Sequence, residues 1–173
     1  MIITVEDLKK QVNCGTAEDA LIKNRLEAIE SVIRAYTNNN FQQRGVRFTG
    51  RSEGAYIYGD PRFFRVGDTV QISASAVNDG LYTVNEVADD YITVDGDLLP
   101  VESNLVTKVH YPPDVIQCAV DLFKWHQNMG EKVGIKSETI SRHSVTYEDS
   151  ATLYMGYPVG ILNGLKLYKK ARC

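Results

Sequence analysis

The period of the hydrophobic pattern changes twice along this chain, which limits its possible folds more than any other feature. Ile22, Leu26, Ile29, Ile33 and Tyr36 recur at spacings of 4, 3, 4 and 3, one stripe of a helix running to about Thr37. From Phe41 to His110 the period is two. Val70 and Ile72 alternate with polar neighbours, and Leu81-Tyr82-Thr83-Val84 and the run from Tyr91 to Val94 are set off by Asn78-Asp79-Gly80 and Asp95-Gly96, both read as turns. Helical spacing returns after Pro112-Pro113, where Val115, Ile116, Ala119, Val120, Leu122, Phe123 and His126 span a broad apolar arc. A segment patterned for one period does not serve as the other. The order is therefore helix, helix, inserted β module, helix, loop, helix.

Local signals set the ends. Thr4 precedes Val5, Leu8 and Val12, with Asp7 three residues on, as in a short capped helix that stops near Gly15. Thr16 is read as the cap of the long helix, whose other side carries Lys23, Glu27, Glu30 and Arg34 and which Asn38, Asn39 and Asn40 end. Gly45, Gly50, Gly54 and Gly59 mark a long loop or extended hairpin before the β strands. Gly130 is read as the stop of the third helix, residues 131–157 as a loop with one extended segment at His143 to Tyr147, and Pro158 to Arg172 as a last helix with Ile161, Leu162, Leu165 and Tyr168 on one side. The expected class is α+β: a small helical bundle of about four helices, residues 1–44 and 110–173, with an inserted small β-barrel-like module at 45–109.

A chain of 173 residues, 43% hydrophobic and 24% charged, has material for one core or for a core plus a small module. Its net charge of −3 argues against generic nucleic-acid binding. The first residues, MIITVEDLKK, carry no secretion signal, and no apolar run approaches the roughly 20 residues of a membrane span. Cys14, Cys118 and Cys173 are too few and too far apart for a disulfide set or a zinc motif. A soluble protein of a reduced, cytosolic setting is expected.

Chemistry is hard to find. His126 sits in an apolar arc and reads as a core histidine before a catalytic one; His110 lies at a module junction and His143 in a loop. None has a partner at metal-ligand spacing. Cys118, on a helix flank near Trp125 and Met129, reads as a buried thiol. Asn78-Asp79-Gly80 and Asp95-Gly96-Asp97 lack the register and flanking helices of a calcium loop, and no phosphate-binding glycine motif is present. A non-enzymatic protein without a cofactor or metal is expected.

Charge is more informative. Residues 68–104 hold Asp68, Asp79, Glu86, Asp89, Asp90, Asp95, Asp97 and Glu102 with no Lys or Arg, while Arg44, Arg47, Arg51, Arg62 and Arg65 precede them. The chain closes on Lys166, Lys169, Lys170 and Arg172. Such asymmetry suits surfaces made to meet other surfaces. Arg44, Arg47, Arg51, Asp89 and Asp90 are the candidates for contact between subunits, and Lys166, Lys169, Lys170 and Arg172 for contact with a partner. The alternative is nucleic-acid binding by a small β-barrel module on a helical scaffold, with these arginines interleaved with Phe48, Tyr56, Tyr58, Phe63 and Phe64; arginine meets phosphate while aromatic rings stack on bases. Alternating aromatics are also ordinary strand residues, and the acidic run opposes a phosphate backbone.

The order of the parts resembles a known family. ITVEDLKKQVN followed by AEDALIKNRLEAIESVIRAYTNNNF is similar to the opening of the tailed-bacteriophage head-to-tail connector proteins, or head completion adaptors. Tyr111-Pro112-Pro113-Asp114 with VIQCAVDLFKWHQN resembles that family's proline-opened core helix. ISRHSVTYEDS and GYPVGILNGLKLYKKAR resemble its ending, and VGDTVQISASAVNDGLYTV the barrel insert of some members. The resemblance implies a structural subunit of a ring of about twelve copies, closed by two different complementary surfaces. It implies the phage portal and a tail-side completion protein as partners, and passage of double-stranded DNA without specific binding. It also implies assembly in the bacterial host cytoplasm, a place in the virion neck and no catalytic residues.

Overall fold

The computed structural model describes residues 1–129, 137–140, 143–146 and 153–171. They form two compact units, one of Asn40–Tyr111 with Met1, the other of Ile2–Asn39 and Pro112–Cys173.

The helical unit begins with α1 (Val5–Gln11), where Thr4 accepts from the Asp7 N–H at 3.1 Å as the sequence signal requires. Helix α2 (Asp19–Thr37) starts later than expected: Glu18, not Thr16, is its N-cap, and no side chain caps it. It ends as expected, with Asn38 in the left-handed region at φ 49°. Ile22, Leu26, Ile29 and Ile33 are buried along its stripe. Glu30, assigned by sequence to the solvent side, is only 3% exposed and accepts from the Ile2 N–H at 3.1 Å. A buried carboxylate needs such a donor. Helix α3 (Pro113–Met129) packs on α2 and buries Val115, Ala119, Val120, Leu122 and Phe123.

The rest of this unit departs from the expected helical bundle. Two-stranded ladders, β5 (Ser137–Ile140) with β6 (His143–Thr146) and β7 (Leu153–Tyr154) with β8 (Tyr157–Pro158), occupy part of the region read as a loop. The last helix is a single turn, α4 (Val159–Leu162), followed by a 3₁₀ helix over Asn163–Tyr168. Gly160 and Gly164 lower its α-helical propensity, while Leu162 and Leu165 are buried as the stripe requires. The expected stop at Gly130, together with Tyr147 and Arg172, lies outside the described residues.

The β unit is a four-stranded antiparallel sheet of β1 (Gln42–Tyr58), β2 (Thr69–Ser73), β3 (Gly80–Val87) and β4 (Tyr91–Val109), in the order β1-β4-β2-β3. The expected closed barrel does not form: among the described residues β1 is hydrogen-bonded to β4 alone and stands at an edge of the sheet. Long β4 serves every other strand, pairing with β2 through its last residues and with β3 through Ile92–Val94. Phe41 and Tyr111 close the base of the unit with ring centroids 5.0 Å apart. The segment read as a glycine-marked long loop or extended hairpin is therefore most of one strand, and Asp95-Gly96 lies inside β4 instead of turning the chain.

Strand β1 is long because it is bent. The β1–β4 register shifts three times between Gly50 and Tyr56. A Cβ on Gly50 would collide with the Tyr58 carbonyl, eight residues further along the same strand. Wholly buried Asn104 holds the bend, donating to the Gly50 carbonyl at 3.0 Å and to that of Val101 at 3.3 Å. Bulges are the usual means of such bending.

Candidate functional site

Gly54 decides which side chains of β1 reach solvent. Before it the even positions Phe48, Gly50 and Ser52 are buried; after it the odd position Ile57 is buried, and Tyr56 and Tyr58 turn outward. Gly54 has φ +60°, a conformation that carries little penalty only without a Cβ, and this is where the alternation changes phase. Tyr91 stands directly across from Tyr58 in the β1–β4 ladder. Three tyrosines thereby share one outer face. Tyr56 and Tyr58 are stacked at 6.1 Å, and Tyr91 meets their edges at 5.4 Å and 6.1 Å.

Charge surrounds the rings. The Arg51 guanidinium lies 4.9 Å from the Tyr58 centroid and 3.5 Å from Glu53. The Tyr91 hydroxyl donates to Glu86 at 3.2 Å. That hydrogen bond, foremost, and the negative charge of Glu86 hold the Tyr91 phenol above its ordinary pKa, with Asp90 adding to the effect. Asp89 and Asp90 are exposed in the turn between β3 and β4. Of the five residues expected between subunits, Arg51, Asp89 and Asp90 thus belong to the tyrosine end of the β1–β4 ladder. Arg44 and Arg47 are exposed at its other end, where β1 pairs with Thr107 and Val109. Of the aromatics read as a stacking platform, Phe48 and Phe64 are core residues in edge-to-face contact at 5.3 Å, whereas Phe63 is 70% exposed. Tyr91 was missed because its partners lie more than thirty positions earlier; only the strand pairing brings them together.

The basic end of the chain sits in the helical unit. Lys166 is exposed on the 3₁₀ helix. Lys169 and Lys170 lie beyond it, on a segment fastened to the C-terminal end of α2. The Lys169 ammonium is 3.8 Å from the Tyr36 ring centroid, and the Lys170 N–H donates to the Thr37 carbonyl at 2.9 Å. Asn38 donates to the carbonyls of Lys170 and Ala171, and Asn39 to that of Tyr168. A cavity of about 320 Å³ between Tyr36, Tyr154, Lys169 and Lys170 opens there.

Of the residues weighed for catalysis, His126 and Cys118 lie in the helical unit. His126 Nδ1 is 3.2 Å from Arg25, and burial, then the Arg25 charge, lowers its pKa. Burial, followed by the charges of Asp121 and Asp114, pushes the Cys118 thiol up to about 12, far from a usable nucleophile. It lines a shallow cavity of about 260 Å³ with Asp114, Gln117 and Asp121. Exposed His110 follows β4, and His143 begins β6. Among the described residues no group of three His, Cys, Asp or Glu is placed to hold a metal ion, and no helix is long and apolar enough to cross a membrane. The chain matches no protein-family model, and no curated protein matches it.

Proposed function

We propose that the chain is a structural head-to-tail connector subunit of a tailed bacteriophage, one copy in a ring between the portal and the tail. The observation that carries this reading is the order of the parts. Residues Ile2–Asn39 and Pro112–Cys173 make one compact unit across a gap of some seventy residues, and the intervening segment makes another. Helix, helix, insert and proline-opened helix is the sequence of parts in the family that the chain resembles. Clasping of Phe41 on Tyr111 supports treating the segment as an insert, since it brings the ends of that segment together. On this reading the protein sits in the virion neck, meets the portal on one side and a tail-side completion protein on the other, and lets double-stranded DNA pass.

The segregated charge supports the same role. A ring needs two unlike surfaces on each subunit, and the acidic and arginine-bearing ends of the β1–β4 ladder are unlike. Acidic surface along a DNA channel also keeps DNA moving, because affinity grows with every phosphate neutralised. Nucleic-acid binding is the second reading, favoured by the Arg51–Tyr58 stack and opposed by Glu53, Glu86, Asp89 and Asp90 around it. Electron microscopy of the protein mixed with its cognate portal tests the first: ring density on the portal is expected, and its absence at high concentration overturns the reading. Filter binding across a salt series tests the second, for which a steep salt slope is required and a connector gives almost none.

A further inference from the structure

We infer that the tyrosine patch is the acceptor half of a head-to-tail contact between two copies of this chain, and that Arg44 and Arg47 of the neighbouring copy are its donor half. The inference deepens the ring reading and rests on it for closure of the assembly. Three observations carry it. Tyr56 is 43% exposed in a cluster of three rings, and exposed tyrosine with arginine is the usual make-up of interface anchors. The rings are flanked by Glu53, Glu86, Asp89 and Asp90, so the patch attracts cations and repels polyanions. Its own Arg51 already lies over Tyr58, an internal example of the contact a second guanidinium would make.

The donor is defined as sharply. Arg51 and Arg62 have carboxylate partners, Glu53 at 3.5 Å and Asp60 at 2.6 Å. Arg44, Arg47 and Arg65 are exposed with no ion pair among the described residues, and of these Arg44 and Arg47 lie together on β1. Acceptor and donor pair with different parts of β4, Tyr56 and Tyr58 with Thr93 and Tyr91, Arg47 with Thr107, and are separate side-chain groups on one copy. Contact of this kind is head-to-tail and leaves a free donor and a free acceptor until a ring closes.

Three variants of the full chain test it. Asp89→Lys with Asp90→Lys blocks the acceptor, Arg44→Glu with Arg47→Glu blocks the donor, and Tyr56→Ala is a second acceptor variant without charge reversal. All alter exposed side chains, and circular dichroism verifies their folding. Sedimentation velocity of the wild type is expected to show mass growing with concentration. Each charge variant should stay monomeric, and Tyr56→Ala should weaken association about tenfold or more. Mixing the two charge variants should restore dimers or larger species, because each mixed pair keeps one complete contact and the reversed charges of the other are again opposite. Variants that assemble like the wild type overturn the inference, as does a wild type that stays monomeric at every concentration or a mixture that stays monomeric. Single-stranded oligonucleotide binding abolished by Tyr56→Ala overturns it in favour of a nucleic-acid surface. The two readings fail separately: self-association through the patch without portal binding defeats the connector alone, and portal rings formed by the patch variants defeat this contact alone.

Discussion

The Asn78 side chain and the Leu99 backbone exchange two hydrogen bonds, the amide donating to the Leu99 carbonyl and accepting from its N–H, each at 2.9 Å. A loop side chain here does the work of a missing strand partner. Asn78 also donates to Ser52 Oγ at 3.0 Å, and its own N–H donates to Ser75 Oγ. The network fixes a loop in which Ala74 and Ala76 hold positive φ, a conformation that persists only where surroundings over-determine it. Asn78→Ala strands the Leu99 N–H and should cost about 1–3 kcal/mol. Urea denaturation should show a lower midpoint with an unchanged slope.

At Gly54 the expected penalty is conformational. Its φ is +60°, and the nearest atom to an added Cβ is Asp97 Oδ1 at 3.9 Å, so space is not the obstacle. Gly54→Ala should cost about 1–2 kcal/mol, the usual penalty for a left-handed L-residue. If the variant relaxes the phase change, Tyr56 and Tyr58 lose their outward packing, and near-ultraviolet circular dichroism from tyrosine should fall. An unchanged spectrum with unchanged stability would show that the phase is set elsewhere.

Gly96 shows why part of the fold was illegible. Asp95-Gly96 has the composition of a hairpin turn, yet both residues serve a strand. The Gly96 position faces the Tyr82 ring, and an added Cβ would come within 2.6 Å of it; Asp95 Oδ1 accepts from the Thr83 N–H at 2.8 Å. The glycine answers a residue on the neighbouring strand, which local pattern cannot reveal. Strand and helix spacing was legible where one face is buried, as at Ile22 to Ile33 and at Val70 and Ile72. Illegible were the long-range pairings that leave the sheet open, the Tyr91 contribution to the patch, and the tail contacts of Asn38 and Asn39. Gly96→Ala should destabilise by about 1–3 kcal/mol through overpacking. Tyr82→Leu in the same chain should return part of that loss, measured as a double-mutant cycle.

Two titrating groups, Cys118 and His126, each make stability depend on pH. The folded state holds the Cys118 thiol protonated up to about 12, against 9.0 ordinarily, so between those values the unfolded chain binds fewer protons. Stability from this group is complete below pH 9 and falls as pH rises above it. His126 is depressed below 6.5, so on the acid side the unfolded chain binds more protons and stability falls as pH drops below that value. Cys118→Ala should flatten the alkaline limb of a melting-temperature profile. Peptide mapping after brief alkylation at pH 8 should find Cys14 modified well before Cys118.

Lys166 and Lys169 separate partner contact from internal fastening. Lys169 stacks on Tyr36, and the segment it belongs to returns hydrogen bonds to the end of α2, where helix carbonyls otherwise lack partners. Deleting residues 169–173 removes those bonds and should lower stability by about 1–2 kcal/mol, since each bond is partly exposed. Any assembly defect of that truncation is therefore ambiguous. Lys166→Glu is not, because the side chain is exposed and its reversal should leave the melting temperature within about 1 °C, consistent with the small effect of surface substitutions. If the protein is the proposed connector and the basic end of the chain docks a partner, heads carrying Lys166→Glu should fill with DNA and then fail to retain it or to join tails. Normal plaques from that phage, with normal stability of the protein, would assign the basic end to fastening α2 alone.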